Sequence, residues 1–153
     1  KAAEMSMSAG VPMIICNGYD TEIIDKILDC SFSGTFFYPP EKTLQPRKRW
    51  IKYNLRPRGK IIVDNGAASA ILNNKSLLPS GIISIDGSFE RGDCVGVYNP
   101  ENQKIAKGLV NYDKSELLII KGLKTSEIKK KLGYCDAPEI IHIDNLVLSN
   151  AYV

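Results

Sequence analysis

Between residues 61 and 111 the chain reads IIVDNGAASAILNNKSLLPSGIISIDGSFERGDCVGVYNPENQKIAKGLVN, and this stretch constrains the fold more than any other part of the sequence. Short apolar runs rich in Ile and Val alternate with breaks containing Gly, Pro, Asn or Asp, so each run has the length of a short strand and each break the chemistry of a tight turn. The runs KIIV, IISI, DCVGVY, KIAKGLVNY, IIHI and LVLS are predicted strands, with turns at Asp86 and Gly87 and across residues 99–102. Two helical pieces interrupt them, Ala67 to Leu72 after Asn65 and Gly66, and Thr125 to Leu132 with Ser126 as its cap and Gly133 as its stop. Short strands broken up in this way predict a small, closely packed mixed barrel rather than a parallel sheet.

The residues before this segment read differently. KAAEMSMSAG is the end of a helix stopped by Gly10, and VPMIIC is a buried strand closed by the turn pair Asn17 and Gly18. A second helix follows, capped by Asp20 and carrying Ile23, Ile24, Ile27 and Leu28 on one face. Thr35 to Tyr38 form an aromatic strand ended by Pro39 and Pro40. This is an α/β layout too small to cover both faces of its own sheet, the trailing edge of a larger domain. The chain opens on Lys1 with a helical pattern already running, so the expectation is a fragment.

Charge is spread unevenly, and that matters more than the net +3. Residues 1–40 carry two lysines against five acids, residues 41–60 eight basic residues against Glu41, and residues 61–153 ten against eleven. The basic charge therefore sits in a proline-bracketed connector, RKRWIKYN between Pro46 and Pro57, with Trp50 and Ile51 placed to pack on either side of it. The predicted organisation is an α/β remnant at 1–40, a basic linker at 41–58, a barrel at 59–148 and a tail at 149–153. A nucleic-acid-binding domain usually shows a basic face, and the near-neutral barrel argues against one. No apolar run approaches the roughly 18 residues needed to span a bilayer, and no secretory pattern opens the chain, so a cytosolic protein is expected.

Chemistry is sparse. Cys16, Cys30, Cys94 and Cys135 lack close CxxC spacing and the lone His142 cannot complete an ordinary zinc set, so reduced structural thiols are expected. His142 alternates with apolar residues in EIIHIDN and reads as a structural or surface residue rather than a general base. The run around Asp64 and Gly66 matches neither GxxxxGK[ST] nor GxGxxG and is not a phosphate loop. Glu90 with Asp93, and Asp20 with Glu22, read as turn and helix-start residues, and Lys129 to Lys131 as the wet face of a helix.

Four motifs in order carry a resemblance. The patterns DxGAxxAI, SLLPxGI, GxFxRGDxV and IAxG are met by Asp64, Gly66, Ala67, Ala70 and Ile71; by Ser76, Leu77, Leu78, Pro79, Gly81 and Ile82; by Gly87, Phe89, Arg91, Gly92, Asp93 and Val95; and by Ile105, Ala106 and Gly108. The segment thereby resembles PUA domains. Together with RKRWI before it and KGL…EIKKKLGY after it, the chain is similar to the C-terminal part of the glutamate 5-kinase family: an α+β chain with an amino acid kinase remnant followed by a PUA-like barrel. One departure is the lack of a glycine before Ser76, where Asn74 and Lys75 stand; Asn tolerates the left-handed backbone such a turn needs.

The resemblance implies a parent enzyme that phosphorylates L-glutamate with ATP and Mg²⁺ in proline synthesis, acts as a homo-oligomer and answers to proline as feedback inhibitor. It also implies that the ATP-binding run and glutamate site lie upstream, so that the chain itself holds no catalytic, cofactor or metal residue; Lys1 aligns beyond the family's catalytic lysine. PUA modules of RNA-modifying proteins hold an RNA stem against the first helix and the turn after it. Carried onto this chain, that surface comprises Lys75, Ser76, Leu77 and Gly81, with Arg91 nearby. Two cations and no interleaved aromatic residue make RNA the less favoured partner.

Overall fold

The computed structural model describes residues 1–40 and 43–149. Positions 41 and 42 of the predicted linker, and the predicted tail from residue 150 onward, lie outside the described residues. The chain divides into two compact units, Lys1–Arg49 and Trp50–Val153, and the division falls inside one helix, α3 (Pro46–Asn54).

In the first unit, α1 (Ala2–Ser8), β1 (Met13–Cys16), α2 (Ile23–Leu28) and β2 (Gly34–Phe37) follow in the predicted order. The strands pair antiparallel, Met13 opposite Phe37 and Cys16 opposite Gly34. Gly34 is required there, since a Cβ would stand 2.4 Å from the Ile15 carbonyl oxygen. The expectation of a buried strand fails: Ile15 is 52% exposed, and no described residue before Ile51 belongs to a buried core. Two short strands and two short helices do not enclose an interior, so Ile24 and Leu28 on α2 are left in solvent as well. Asp20 stands just ahead of α2, its Oδ1 accepting from the Glu22 amide at 3.1 Å and its Oδ2 from Lys26 Nζ at 2.8 Å. The lysine hydrogen bond holds the Asp20 carboxyl below its ordinary range.

The second unit holds a five-stranded sheet in the order β4-β3-β5-β6-β7, built from β3 (Gly59–Val63), β4 (Ile82–Gly87), β5 (Cys94–Tyr98), β6 (Lys104–Leu109) and β7 (Leu146–Leu148). β3 and β5 are parallel and every other pair is antiparallel. Ile61, Val63, Val95, Val97 and Ala106 point to one face, where α4 (Asn65–Leu72), α5 (Lys114–Ile120) and α6 (Thr125–Leu132) add Ile71, Leu117, Ile120 and Ile128 to a single core. Tyr112 is buried with them, its hydroxyl donating to the Ala137 carbonyl at 2.5 Å, and desolvation pushes its pKa up.

Three elements depart from the sequence reading. IIHI is not a strand: Ile141 makes an isolated bridge to Leu77, and His142 caps the 3-10 turn Ile143–Asn145 by accepting from the Asp144 amide at Nδ1 (3.2 Å). The Ile143 amide goes to Ser76 Oγ at 3.0 Å, so side-chain acceptors take the place of a ladder partner. Ser126 is not the cap of α6; it lies within the first turn, and the Glu127 carboxylate accepts from the Lys124 amide at 2.9 Å instead. Helix α5 was not anticipated, although DKSE carries a full capping box, Asp113 accepting from the Glu116 amide and Glu116 from the Asp113 amide, each at 2.9 Å.

Candidate functional site

A groove of about 630 Å³ lies between α4 and the 3-10 turn Pro79–Gly81. Its geometry begins at Asp64, which ends β3 and caps α4 by accepting from the Ala67 amide at Oδ1 (2.7 Å). The Asp64 amide donates to the Gly81 carbonyl at 2.9 Å, drawing the turn onto the helix. That approach needs glycine, because a Cβ on Gly81 would lie 2.3 Å from the Cβ of Ala67. At the far end α4 stops in a left-handed residue, Asn74 (φ 55°), and the Lys75 amide returns to the Ala70 carbonyl at 2.9 Å. Asn74 thus performs the turn for which a glycine is absent.

Gly66, Ala67 and Ala70 give the groove an apolar helix wall, faced by Leu78, Ser80 and Gly81, with Lys75 and Ser76 at the end. Of the predicted surface residues, Lys75, Ser76 and Gly81 are therefore brought together here. Leu77 is not: it is 1% exposed, because its backbone pairs with Ile141 and turns the side chain into the core. Its neighbour Leu78, 44% exposed, takes the groove position. Alternation decides this, as Leu78 precedes a proline and is extended (ψ 156°), which sends Leu77 and Leu78 to opposite sides. Arg91 does not line the groove; its guanidinium is tied to Asp136 at 2.5 Å, and that hydrogen bond holds the arginine fully protonated. Ser80 and Leu78 were missed as surface residues, and the Pro79 turn was the available signal.

Chemically the groove offers one cation, Lys75, and few free donors. The α4 N-terminus is spent on Asp64, so it carries a carboxylate where a phosphate cradle would present bare amides. Ser76 Oγ already serves Ile143. Elsewhere Cys94 is buried and desolvation raises its thiol pKa, an inert setting. His142 lies 3.7 Å from Glu139 and 3.4 Å from Asp144 at the surface. Among the described residues no group of three His, Cys, Asp or Glu side chains could hold a metal ion. Asp93 and Asp113 are depressed below their ordinary carboxyl range, Asp93 mainly by the Glu90 amide and Asp113 mainly by Ser115 Oγ, as turn and cap residues should be.

The PUA domain family matches residues 59–132, the span that holds β3, α4 and the groove. This unit is a PUA domain. The resemblance extends beyond it: glutamate 5-kinase of Thermoanaerobacter sp. (strain X514) is 44% identical over 149 residues, 97% of this chain and 40% of that protein. Glutamate 5-kinase of Dictyoglomus turgidum is 44% identical over 152 residues, covering 98% and 41%, and that of Synechococcus sp. (strain JA-2-3B'a(2-13)) 45% over 150, covering 97% and 40%. The chain spans about 40% of the length of these curated relatives and aligns with their C-terminal part. Among solved structures, a PUA domain from Aeropyrum pernix K1 in a tartrate complex is 24% identical, covers 56% of this chain and 41% of its own, and superposes with a TM-score of 0.42, too distant to bear on the site. The PUA domain here thus carries a largely apolar groove between α4 and the Pro79–Gly81 turn.

Proposed function

We propose that this chain is the C-terminal part of a glutamate 5-kinase, a cytosolic enzyme that transfers the γ-phosphoryl group of MgATP to the γ-carboxylate of L-glutamate and so opens proline synthesis. The observation that carries the reading is identity above 40% sustained over 97% of the chain, through the first unit and the linker as well as the PUA domain. A PUA module borrowed by an unrelated protein would match over the second unit alone.

The described residues do not fit ATP or Mg²⁺. Phosphoryl transfer relies on positioned cations, metal-binding acids and backbone amides around the phosphates. Here the acids are dispersed, and the groove's helix terminus is filled by Asp64. The reading places the nucleotide and glutamate sites in the part of the relatives that this chain does not cover, and its support is the 40% share of their length that the chain spans.

The PUA domain acts on the kinase through assembly of a homo-oligomer or through feedback by proline, in keeping with a domain that offers surface rather than chemistry. RNA in the groove is disfavoured by its single cation. The test is hydroxamate trapping of acyl phosphate formed from ATP and glutamate, with the complete reading frame, this chain alone, and a form lacking residues 55–153. Activity in the complete protein and none in this chain is expected, with oligomeric state or proline inhibition altered by the deletion. A folded complete protein without activity refutes the kinase reading. A deletion that leaves assembly and inhibition unchanged refutes the role given to the PUA domain.

A further inference from the structure

The face of the sheet turned away from the core gathers three lysines from different places in the chain. Lys60 on β3 stands beside Gly96 on β5, and Gly96 beside Lys107 on β6, so the two side chains rise from one face on either side of a residue that has none. The Tyr98 ring folds over that gap: a Cβ on Gly96 would meet its Cε2 at 2.7 Å, and Lys60 Nζ lies 4.6 Å from the ring centroid. Lys104 stands three residues before Lys107, which in an unbroken strand would send it to the opposite side. The register slips here, Val97 pairing with Ala106 and Tyr98 with Lys104, so Ile105 is the bulged residue. Ile105 and Ala106 both turn into the core, and Lys104 comes out on the side of Lys107.

Lys107 is partly buried, and its Nζ donates to the Leu55 carbonyl at 2.7 Å. A carboxylate partner would hold the amine protonated, whereas a carbonyl accepts an N–H and brings no opposing charge. Desolvation lowers the Lys107 pKa, Cys94 acts against this, and nearby Lys104 lowers it further. Among the described residues of this unit, the Arg and Lys ion pairs join Arg58 to Asp93 and Arg91 to Asp136, so none of them holds Lys60, Lys104 or Lys107. Lys60 is steadied by the Asn102 side-chain oxygen and the Tyr98 ring, which fix where its charge sits without neutralising it. A lysine with a weakened hold on its proton thus shares a face with two further cations, the setting in which an amine becomes a nucleophile.

We propose that Lys107 is an acylation site for acyl phosphates, with its Nζ as the nucleophile and Lys60 and Lys104 as the docking point for the phosphoryl group. The neutral amine keeps one N–H on the Leu55 carbonyl and directs its lone pair at the acyl carbon. The N–C bond forms, the bond from that carbon to the bridging oxygen breaks, and inorganic phosphate departs with the electron pair and takes up the proton shed by nitrogen. The resulting amide still has one N–H for the Leu55 carbonyl, so a charge is removed and the acceptor stays satisfied. An acyl phosphate suits the face better than an uncharged acyl donor, because its phosphoryl oxygens meet cations that no carboxylate has paired. A compact anion needs only this local group of charges, not the basic face that a nucleic acid requires. That a glutamyl phosphate is the natural donor rests on the kinase reading above; the reactivity of Lys107 does not.

Site-resolved mass spectrometry of the full chain incubated with acetyl phosphate tests this. Lys107 is expected to acquire acetyl several times faster than Lys129, Lys130 and Lys131, exposed residues that accessibility alone would favour. Inorganic phosphate should slow the reaction at Lys107 and leave those three unchanged, and it should not slow labelling by the uncharged donor N-hydroxysuccinimide acetate. In Lys60→Gln/Lys104→Gln, with the fold checked by thermal melting, the Lys107 rate with acetyl phosphate should fall to that of the helix lysines; the phosphate competition reads the same docking point in the unaltered chain. The proposal is overturned if Lys107 is labelled no faster than Lys129 to Lys131, if phosphate does not compete, or if a folded double variant keeps the full rate. In the complete protein supplied with ATP and glutamate, a γ-glutamyl amide on Lys107 is expected. Hydroxamate formation without that amide refutes the glutamyl donor, whereas absence of hydroxamate refutes the kinase reading and leaves the acetyl phosphate result standing.

Discussion

Replacing Gly81 by alanine tests the contact that shapes the groove. The added methyl would be placed 2.3 Å from Ala67 Cβ, about 1.5 Å inside the ordinary separation of carbon atoms, whereas the next atoms, Ala67 Cα and Asp64 Oδ1, stand at 3.6 and 3.9 Å. The whole conflict is therefore with one methyl group. Gly81 shows no positive φ, so the cost is steric and not conformational. Overpacking of this kind costs about 1–3 kcal/mol, through separation of the Pro79–Gly81 turn from α4 and strain on the hydrogen bond from the Asp64 amide to Gly81. Ala67→Gly removes the opposing methyl and by itself costs about 0.5–1 kcal/mol as a glycine in a helix. Urea unfolding at constant m-value should then find the double variant about as stable as Ala67→Gly alone, a coupling of about 1–3 kcal/mol. A neutral Gly81→Ala, or a double variant whose losses simply add, refutes the close-packing account.

Leu77→Ala should cost about 2–5 kcal/mol and Leu78→Ala under about 0.5 kcal/mol in the same assay, the reverse of what a surface Leu77 requires. Asp113→Ala should lose about 1 kcal/mol as the cap of α5, while Ser126→Ala, which caps nothing, should be nearly neutral. Asp20, Asp93 and Asp113 have folded-state pKa values below their ordinary 3.8, so the stability they contribute is present above that value and is lost as pH falls below it; melting temperature should decline between pH 5 and pH 2, less steeply in Asp93→Asn.

The order of helices and strands was legible because it rests on local chemistry. Turn glycines and the Gly133 stop need only their own neighbours, and Asn74 could be read as left-handed from its residue type. The PUA motifs were legible for the same reason, since Gly87 marks a place where backbone meets backbone and Gly81 one where backbone meets the Ala67 methyl. IIHI misled because its apolar alternation suits a strand equally well, and whether it pairs depends on Ser76, 67 residues away from Ile143. Leu77 and Leu78 are chemically the same, and only the bridge to Ile141 decides which is core and which is groove. Helix α5 was lost although its capping box was present, because KSELLII is too short for its period to be told from a strand.

What the sequence determined by itself was which segments turn, which curl and which extend, together with the kinship with glutamate 5-kinases that those residues record. What only the tertiary structure decided was which side chains share a face. Lys60, Gly96 and Lys107 are far apart in the chain and meet through strand register, and Arg91 leaves the groove because Asp136 lies within reach. Register and ion-pair partners are properties of distant segments brought together, and a local pattern carries no information about them.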